Sequence, residues 1–172
     1  GGIGLSVLLL AKMLGAQVVV VDIVEEKLEH AKQHGADATV NAAKVDVASA
    51  IHDITGGGAQ VSIEALGIEA TTNASIECLA ILGRHVQVGM PSGSGQMQVN
   101  MRAIYAKQLA FFGTRGMPSW KYPRLLGMIE RGDVDIRPMV AREIPLSGAS
   151  AELRAMNGPT SPGTAVIMDL QA

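Results

Sequence analysis

The sequence is 172 residues long, with 48% hydrophobic residues, 17% charged residues and a formal net charge of -2. These values are typical of a soluble globular chain of about one domain, and they exclude intrinsic disorder. The charge balance offers no basic face for a nucleic-acid backbone, so we expect no nucleic-acid partner. The single cysteine excludes an internal disulfide and a Cys/His zinc framework, which makes the reducing cytoplasm the expected location.

Apolar runs, glycine or polar breaks and helical stretches alternate along the chain, a pattern typical of β-α-β units and a parallel sheet. The apolar segment from Gly4 to Ile23 is predicted to be a buried helix followed by a buried strand, because Lys12 and Asp22 interrupt it. We therefore expect no membrane span, and no signal peptide because no basic segment precedes it. Further predicted elements are helices at 25–34, 45–54 and 70–82 and strands at 18–21, 38–41, 61–65 and 85–88.

The remainder of the chain continues the same alternation. The segment 92–96 is predicted to be a flexible loop, and 98–101 is followed by a short link. A strand at 108–112, a helix at 120–131 and a turn or linker at 136–138 come next. The tail is predicted as a strand at 140–144, a helix at 147–156, a Gly- and Pro-rich break and a strand at 164–170. We therefore predict an α/β fold with a doubly wound parallel sheet and a C-terminal strand-helix-strand tail.

The chemistry is expected at the start of the chain, where Gly1-Gly2-Ile3-Gly4 leads directly into a helix. Glycines at such a turn let the backbone approach a pyrophosphate, whose charge is met by unpaired N–H groups and the helix dipole. Asp22, at the end of the next strand, can accept both ribose hydroxyls of adenosine and would repel a 2′-phosphate. This constellation predicts an NAD site. The alternative is a plain tight turn with Asp22 as a helix N-cap.

The run from Gly1 to Ala42 resembles the cofactor-binding domain of the medium-chain, zinc-type alcohol dehydrogenase family, which includes polyol and threonine dehydrogenases. The resemblance continues through Glu64-Ala65-Leu66-Gly67 and the segment 85–91 and covers essentially the whole chain. Gly1 and Gly4 match the second and third glycines of the family's Gly-x-Gly-x-x-Gly fingerprint. The first glycine, the strand before it and the preceding zinc-bearing domain are absent, so the chain is expected to be the C-terminal half of such an enzyme.

The resemblance implies a Rossmann-type NAD-binding domain over 1–138 and a tail over 139–172 that packs with the absent catalytic domain. It implies that Gly1, Gly2, Ile3 and Gly4 form the turn at the pyrophosphate and nicotinamide, and that Asp22 and Lys27 lie at the adenosine ribose. It places Ala65 and Leu66 at the nicotinamide-side ribose, and the backbones of Val88, Gly89, Met90, Ala110 and Phe112 at the carboxamide. For Ala65, Val88 and Phe112, a role simply in the core stays equally open.

The implied activity is NAD-dependent hydride transfer between a primary or secondary alcohol and nicotinamide. The zinc of the parent enzyme would be held by ligands outside this chain, and no catalytic or metal-binding residue is assigned within it. Two alternatives stay open: a zinc-free, NADP-linked quinone or enoyl reductase of the same superfamily, which Asp22 disfavours, and a non-catalytic nucleotide-binding module. The identity of the alcohol also stays open.

Association is expected at an edge of the sheet. The segment 108–112 is apolar and strand-prone, without a proline or inward charge to protect an edge, and Met97, Val99 and Met101 alternate with polar residues nearby. Family resemblance suggests that a second subunit covers this edge, giving a homodimer or homotetramer. The alternative is that Phe111 and Phe112 pack beneath the helix at 120–131.

The remaining titratable residues are assigned no chemistry. His30 and His34, four residues apart on a helix, are predicted to lie on a solvated face, because no third ligand joins them. Cys78 is predicted to be a packed thiol within a helix. His52 and His85 have no partner that the sequence identifies.

Overall fold

The computed structural model describes residues 1–93, 95–155 and 163–170, in which helices and strands alternate as predicted. The helices are α1 (Gly2–Met13), α2 (Glu25–Gln33), α3 (Val47–Thr55), α4 (Glu69–Glu77), α5 (Met101–Ala106), α6 (Tyr122–Glu130) and α7 (Ala149–Ala155). The strands are β1 (Val19–Asp22), β2 (Ala38–Asn41), β3 (Ala59–Glu64), β4 (Leu79–Gln87), β5 (Ala110–Gly113), β6 (Val140–Pro145) and β7 (Thr164–Asp169). Short 3-10 turns occupy Ser119–Lys121, Arg137–Met139 and Leu146–Gly148. The predicted C-terminal helical residue Met156 and most of the break at 157–163 lie outside the described residues.

The described strands are hydrogen-bonded in three groups, β1-β2, β3-β4-β5 and β6-β7. Pairing is parallel from β3 through β5 and between β6 and β7, which confirms the predicted parallel α/β class. The chain folds as two compact units, one formed by Gly1–Thr39 with the described part of 119–172, and the other by Val40–Pro118. The predicted boundary at residue 138 concerns packing against a domain outside this chain, and it stays a prediction. None of the described helices is long and apolar enough to cross a membrane.

The first unit has its core between α1 and α2. Leu5 and Leu8 from α1 and Ala31 from α2 are buried together, with Val20 and Met139 packed against them. Leu8 is only 1% exposed, so its burial stabilises the unit by about 2 kcal/mol. The helix α1 forms because its leucine-rich sequence favours helix, and it ends before Gly15, whose φ of 77° a residue with a side chain rarely adopts.

The second unit is built around the three-stranded sheet. Ser62 pairs with His85 and Glu64 with Gln87, and Gln87 in turn pairs with Gly113. Because the strands are parallel, the residues that follow β3, β4 and β5 all lie at the carboxyl end of the sheet. The helix α4 contributes the buried residues Thr72 and Ile76 to this unit.

The predicted helix over 70–82 is wrong beyond Glu77. Cys78 ends α4, and Leu79, which is completely buried, already pairs with Ala59 in the sheet. The register then shifts along β4, where Leu82 has a positive φ of 62° and donates its N–H to the carbonyl of Lys107. A short apolar run of this kind fits a helix face and a buried strand equally well, which is why periodicity alone misplaced the boundary.

The short link predicted after 101 is also wrong, because it forms α5. Asn100 is the N-cap of this helix, and its side chain accepts the N–H of Ala103 at 3.1 Å. Val99 therefore precedes a helix and Met101 begins it, so their alternation with polar residues does not mark a strand. Among the described strands, β5 alone forms this outer edge of the sheet, with β4 on its other side.

Candidate functional site

The glycine turn lies at the start of α1. Gly1 is the N-cap residue and its carbonyl accepts the N–H of Leu5 at 3.1 Å. The N–H groups of the first helical turn therefore have no acceptor within the helix, and they carry the positive end of its dipole. A Cβ added at Gly1 or Gly4 would meet nothing within 4 Å, so packing within the described chain does not require glycine there. These glycines leave an open approach to the helix end.

Asp22 and Lys27 lie close to this turn within the first unit. Both side chains lie within electrostatic range of the backbone nitrogen of Gly1. Asp22 ends β1, and its Oδ1 accepts the N–H groups of Ile23 at 2.8 Å and Val24 at 3.1 Å. The N-cap of α2 is Val24, so Asp22 does not cap the helix directly as the alternative interpretation had it. Its Oδ2 takes no hydrogen bond from the described residues, which suits an acceptor for ribose hydroxyls.

The loops that follow β3 and β4 touch each other through their backbones. The N–H groups of Val88 and Gly89 both donate to the carbonyl of Glu64, at 2.8 and 2.9 Å. Gly67 has a φ of 84°, and a Cβ there would lie 2.6 Å from the carbonyl carbon of Met90. A Cβ on Gly89 would lie 2.6 Å from Oε2 of Glu64. Glycine is therefore required at both positions, since any side chain would push the loops apart.

The predicted contact residues on these loops are accessible rather than core. Leu66 is 64% exposed and Met90 is 84% exposed, while Ala65 and Val88 are half-buried. Among the described residues, the carbonyl of Val88 and the N–H of Met90 take part in no hydrogen bond. An acceptor and a donor two residues apart match the two halves of a primary carboxamide.

The two predicted contact residues on β5, Ala110 and Phe112, lie in different positions along the strand. Phe112 pairs with Val86 and is 50% exposed, which disfavours a purely core role. Ala110, by contrast, begins the strand and pairs with Arg84. At about 3.3 Å per residue, Ala110 lies roughly 7 Å before Phe112 along the strand, so the two residues are not in equivalent positions.

A buried carboxylate organises the loop after β3. Glu64 is only 3% exposed, and its carboxylate accepts the N–H of Leu66 at 2.8 Å and that of Gly67 at 2.9 Å. The Thr71 hydroxyl donates to the same carboxylate at 2.7 Å, and the side-chain amide of Gln87 donates to its other oxygen. A buried charge is stable only with such a set of donors.

His85, on the middle strand β4, extends this hydrogen-bond network. Its ring is fully buried, with Nε2 3.1 Å from Oε1 of Gln87 and Nδ1 3.1 Å from the hydroxyl of Ser75. Glu64 can only accept, so the Gln87 atom beside it is the amide nitrogen and Oε1 faces His85. The neutral ring therefore carries its proton on Nε2. Burial lowers the pKa of His85, against opposing contributions from Gln87 and Glu64.

The sequence contained a signal for this network that was missed. Ser62 and Glu64 lie two residues apart on β3, as His85 and Gln87 do on β4, so each pair projects from the same face of its strand. Polar residues on one face of strands expected to be buried on both faces indicate that they are partners of one another.

The other histidines and the cysteine form no site. His30 and His34 have ring centroids 4.2 Å apart, and both residues are half-buried rather than solvated as predicted. Cys78 is buried, and burial raises the pKa of its thiol to about 11, in line with a packed role. Within the described ranges, no group of three or more His, Cys, Asp or Glu residues is arranged to hold a metal ion.

Comparison with known proteins places these features in one family. The sequence matches the zinc-binding dehydrogenase family over residues 2–131. Sorbitol dehydrogenase of Rattus norvegicus is 32% identical over 156 residues, which cover 87% of this chain and 42% of that protein. An NAD-dependent alcohol dehydrogenase of Sulfurisphaera tokodaii is 29% identical over 170 residues, covering 98% of this chain and 48% of that protein.

Comparison with solved structures indicates the same family as the sequence comparison. A solved structure from Sinorhizobium meliloti 1021, assigned to the zinc-binding dehydrogenases and bound to NADP, superposes with a TM-score of 0.86 at 26% identity. The match covers 97% of this chain and 50% of that one. The chain thus has the Rossmann-type fold of alcohol dehydrogenase domains and spans about half the length of the relatives it matches. The sequence and the fold together show that the chain belongs to the zinc-binding dehydrogenase family, as its C-terminal, Rossmann-type half.

Proposed function

We propose that the chain is the NAD-binding part of a zinc-type alcohol or polyol dehydrogenase. The observation that carries this proposal is the open glycine turn at the start of α1, with Asp22 and Lys27 close to Gly1. The free N–H groups of that turn suit a pyrophosphate, and the Asp22 carboxylate suits the adenosine ribose.

In the second unit, the loops after β3 and β4 are proposed to contact the nicotinamide end of the cofactor, as the family resemblance implies. Ala65 and Leu66 face the nicotinamide-side ribose, and the carbonyl of Val88 and the N–H of Met90 hold the carboxamide. Phe112 and, more distantly, Ala110 flank them on β5. When bound, NAD accepts the hydride of the alcohol. The contribution of this chain is to orient the nicotinamide so that one face of the ring meets the substrate.

NAD rather than NADP is the proposed cofactor. The Sulfurisphaera relative is named as NAD-dependent, whereas the Sinorhizobium structure holds NADP, so the relatives alone do not decide. Asp22 supports NAD, because a carboxylate accepts from ribose hydroxyls and opposes a phosphate in the same place. In a partly dry site this preference amounts to about 1–3 kcal/mol.

The substrate and the zinc belong to the whole protein. Its relatives are named for sorbitol and for alcohols, and we propose a small alcohol or polyol as substrate. The described residues do not provide a set of zinc ligands, and we propose that the ligands lie outside this chain. We also propose a cytoplasmic location, from the single cysteine in these 172 residues.

The test is made on the complete protein. NADH binding is measured by fluorescence, zinc by elemental analysis, and alcohol oxidation by NADH absorbance with sorbitol and simple alcohols. Binding of NADH with bound zinc and turnover is the expected result. Turnover with NADP and a quinone, without zinc, would establish the reductase alternative. Binding without any turnover would establish a non-catalytic module, and no dinucleotide binding at all would overturn the proposal.

A homodimer or homotetramer through β5 is part of the proposal. The N–H of Thr114 donates to Gln87 on β4, and successive amides of a strand point to opposite sides, so the N–H of Gly113 points to the outer edge. A Cβ at Gly113 would meet no atom within 4 Å in the part of the chain that the structure describes. Gly113→Pro therefore removes an edge donor while keeping the pairing with β4.

The expected result is a lower molar mass for the Gly113→Pro variant of the complete protein in light scattering. Gly113→Ala, which keeps the N–H, is the matched control and should stay associated. A wild-type protein that is monomeric at high concentration would contradict the proposal.

A further inference from the structure

We infer that Glu64, Gln87 and His85 are positioning residues for the nicotinamide end of the cofactor, acting through the backbones of loops 65–67 and 88–90. This inference rests on the proposed function. The three side chains, here called the polar network, do not themselves have to touch the cofactor. They fix the two loops that present the ligand-facing backbone groups.

Glu64 fixes the first loop. Its carboxylate accepts from the N–H groups of Leu66 and Gly67, which turns the backbone sharply at the end of β3. Hydrogen bonds to a charged acceptor are stronger than those between neutral groups. The backbone that carries the exposed Leu66 side chain is therefore fixed by hydrogen bonds to the buried carboxylate of Glu64.

Gln87 joins the second loop to the first. Its amide nitrogen donates to the carboxylate of Glu64 and also to the carbonyl of Gly89 at 2.9 Å. One side-chain amide therefore fixes the distance between the two loops. The N–H groups of Val88 and Gly89 are already used by the carbonyl of Glu64. The carbonyl of Val88 and the N–H of Met90 are left for a ligand.

His85 fixes the orientation of Gln87. Its Nε2–H and the hydroxyl of Thr72, 3.2 Å away, both face Oε1 of Gln87. An inverted amide would place its NH2 group against these donors and its oxygen against the Glu64 carboxylate. The hydrogen bonds therefore run in one direction, from the hydroxyls of Ser75 and Ser62, 3.1 and 3.3 Å from Nδ1 of His85, through His85 and Gln87 to Glu64.

The experiment compares two ligands on the complete protein. NADH carries the nicotinamide, whereas ADP-ribose lacks it and retains the adenosine and pyrophosphate. Glu64→Gln replaces one carboxylate oxygen by an NH2 group, and because both oxygens face donors, this group meets either the N–H groups of Leu66 and Gly67 or the side-chain amide of Gln87. We expect NADH binding to weaken about tenfold or more and ADP-ribose binding to change less than about twofold.

Glu69→Gln is the matched control. Glu69 also accepts a backbone N–H, that of Gln98 at 2.9 Å, and lies five positions along the chain, but it is exposed and outside the polar network. The Glu69→Gln variant removes the same charge as Glu64→Gln, and its affinities for NADH and ADP-ribose should stay unchanged. Because general destabilisation would weaken both ligands together, the ratio of the two affinities separates positioning from a merely structural role.

A milder variant keeps the test decisive if Glu64→Gln does not fold. Thr71→Val removes one hydrogen bond to Glu64 from a half-buried position in α4. We expect NADH to bind about threefold more weakly, ADP-ribose to bind normally, and the amides of Leu66 and Gly67 to exchange with deuterium faster.

The outcomes separate the two proposals. Equal weakening of both ligands, or no change in either variant, would overturn the inference and leave the proposed function intact. A wild-type protein that binds neither ligand would overturn the proposed function and the inference with it.

Discussion

The two regions proposed to contact the cofactor, one in each unit, are built in different ways. At the start of α1, the proposed binding groups are the N–H groups of a helix end. Among the described residues, Asp22 accepts hydrogen bonds only from the two residues that follow it. In loops 65–67 and 88–90, buried side chains and close glycine contacts fix the backbone. Recognition is thus separate from stability in the first region and coupled to it in the second.

The sharpest way to break this comparison is to add one methyl group to each region. In Gly89→Ala, the new Cβ would lie 2.7 Å from the carbonyl carbon of Leu66 and 2.6 Å from Oε2 of Glu64. We expect a loss of about 3 kcal/mol in the free energy of unfolding. For a folded chain of 172 residues, the thermal midpoint should fall by roughly 6–12 °C, measured by differential scanning fluorimetry.

Gly4→Ala is the counterpart in the first region. The methyl group meets no atom of the described residues within 4 Å, and alanine favours helix over glycine by about 1 kcal/mol, so stability should hold or rise. NADH affinity should nevertheless fall, because the methyl occupies the open approach to the helix end. A Gly4→Ala variant as unstable as Gly89→Ala would show that the two regions do not differ in this way.

A second prediction sharpens the chemistry of the first region. Asp22→Ser removes the carboxylate, so the ratio of NAD to NADP affinity should fall on the order of tenfold to a hundredfold. Dissociation constants of the complete protein measure the effect. Asp53→Ser, on α3, is a charge-matched control that should leave the ratio unchanged. A preference for NADP in the wild type, or no change in the variant, would contradict the role of Asp22.

A third prediction, with a smaller expected effect, concerns the pH dependence of stability in the second region. Burial lowers the pKa of His85 below its ordinary 6.5, so the unfolded chain takes up a proton at a higher pH than the folded one. The contribution of the neutral ring is therefore complete above about pH 6.5 and is lost as the pH falls toward the folded-state pKa.

His85→Gln, which stays neutral, should show a smaller drop in thermal midpoint between pH 7.5 and 5.5 than the wild type. His30 also has a pKa lowered by burial, with a further contribution from His34, so His30→Gln is measured in parallel. A wild-type acid dependence that survives intact in His85→Gln would show that the pKa of this ring does not differ between the folded and the unfolded chain.

The sequence predicted the first region better than the second, for physical reasons. A glycine turn, a helix and a strand ending in Asp22 are local features with their own spacing, and the helix starting at Glu25 and the strand 38–41 were predicted correctly. The family resemblance also gave the order of the later loops. It did not reveal that Glu64 and Gln87 hold those loops, because their contact joins residues 23 positions apart and depends on the strand register.

The errors have the same origin. Leu79 to Leu82 read as helix because a short apolar run has no distinctive period, and only pairing with Ala59 decides that β4 begins at Leu79. Met97, Val99 and Met101 suggested an edge strand, whereas the Asn100 cap starts α5. In both places a tertiary contact or a single capping side chain overrode the local pattern.

The buried position of Cys78 makes the alkylation rate of its thiol a measure of local opening in the second unit. The thiol ends α4 directly before the buried Leu79, is itself buried, and has its pKa raised to about 11. Alkylating reagents need an accessible thiolate, so the folded unit should react extremely slowly. The labelling rate of this cysteine then reports how often α4 separates from the sheet, and a cofactor that clamps the neighbouring loops should slow that rate further.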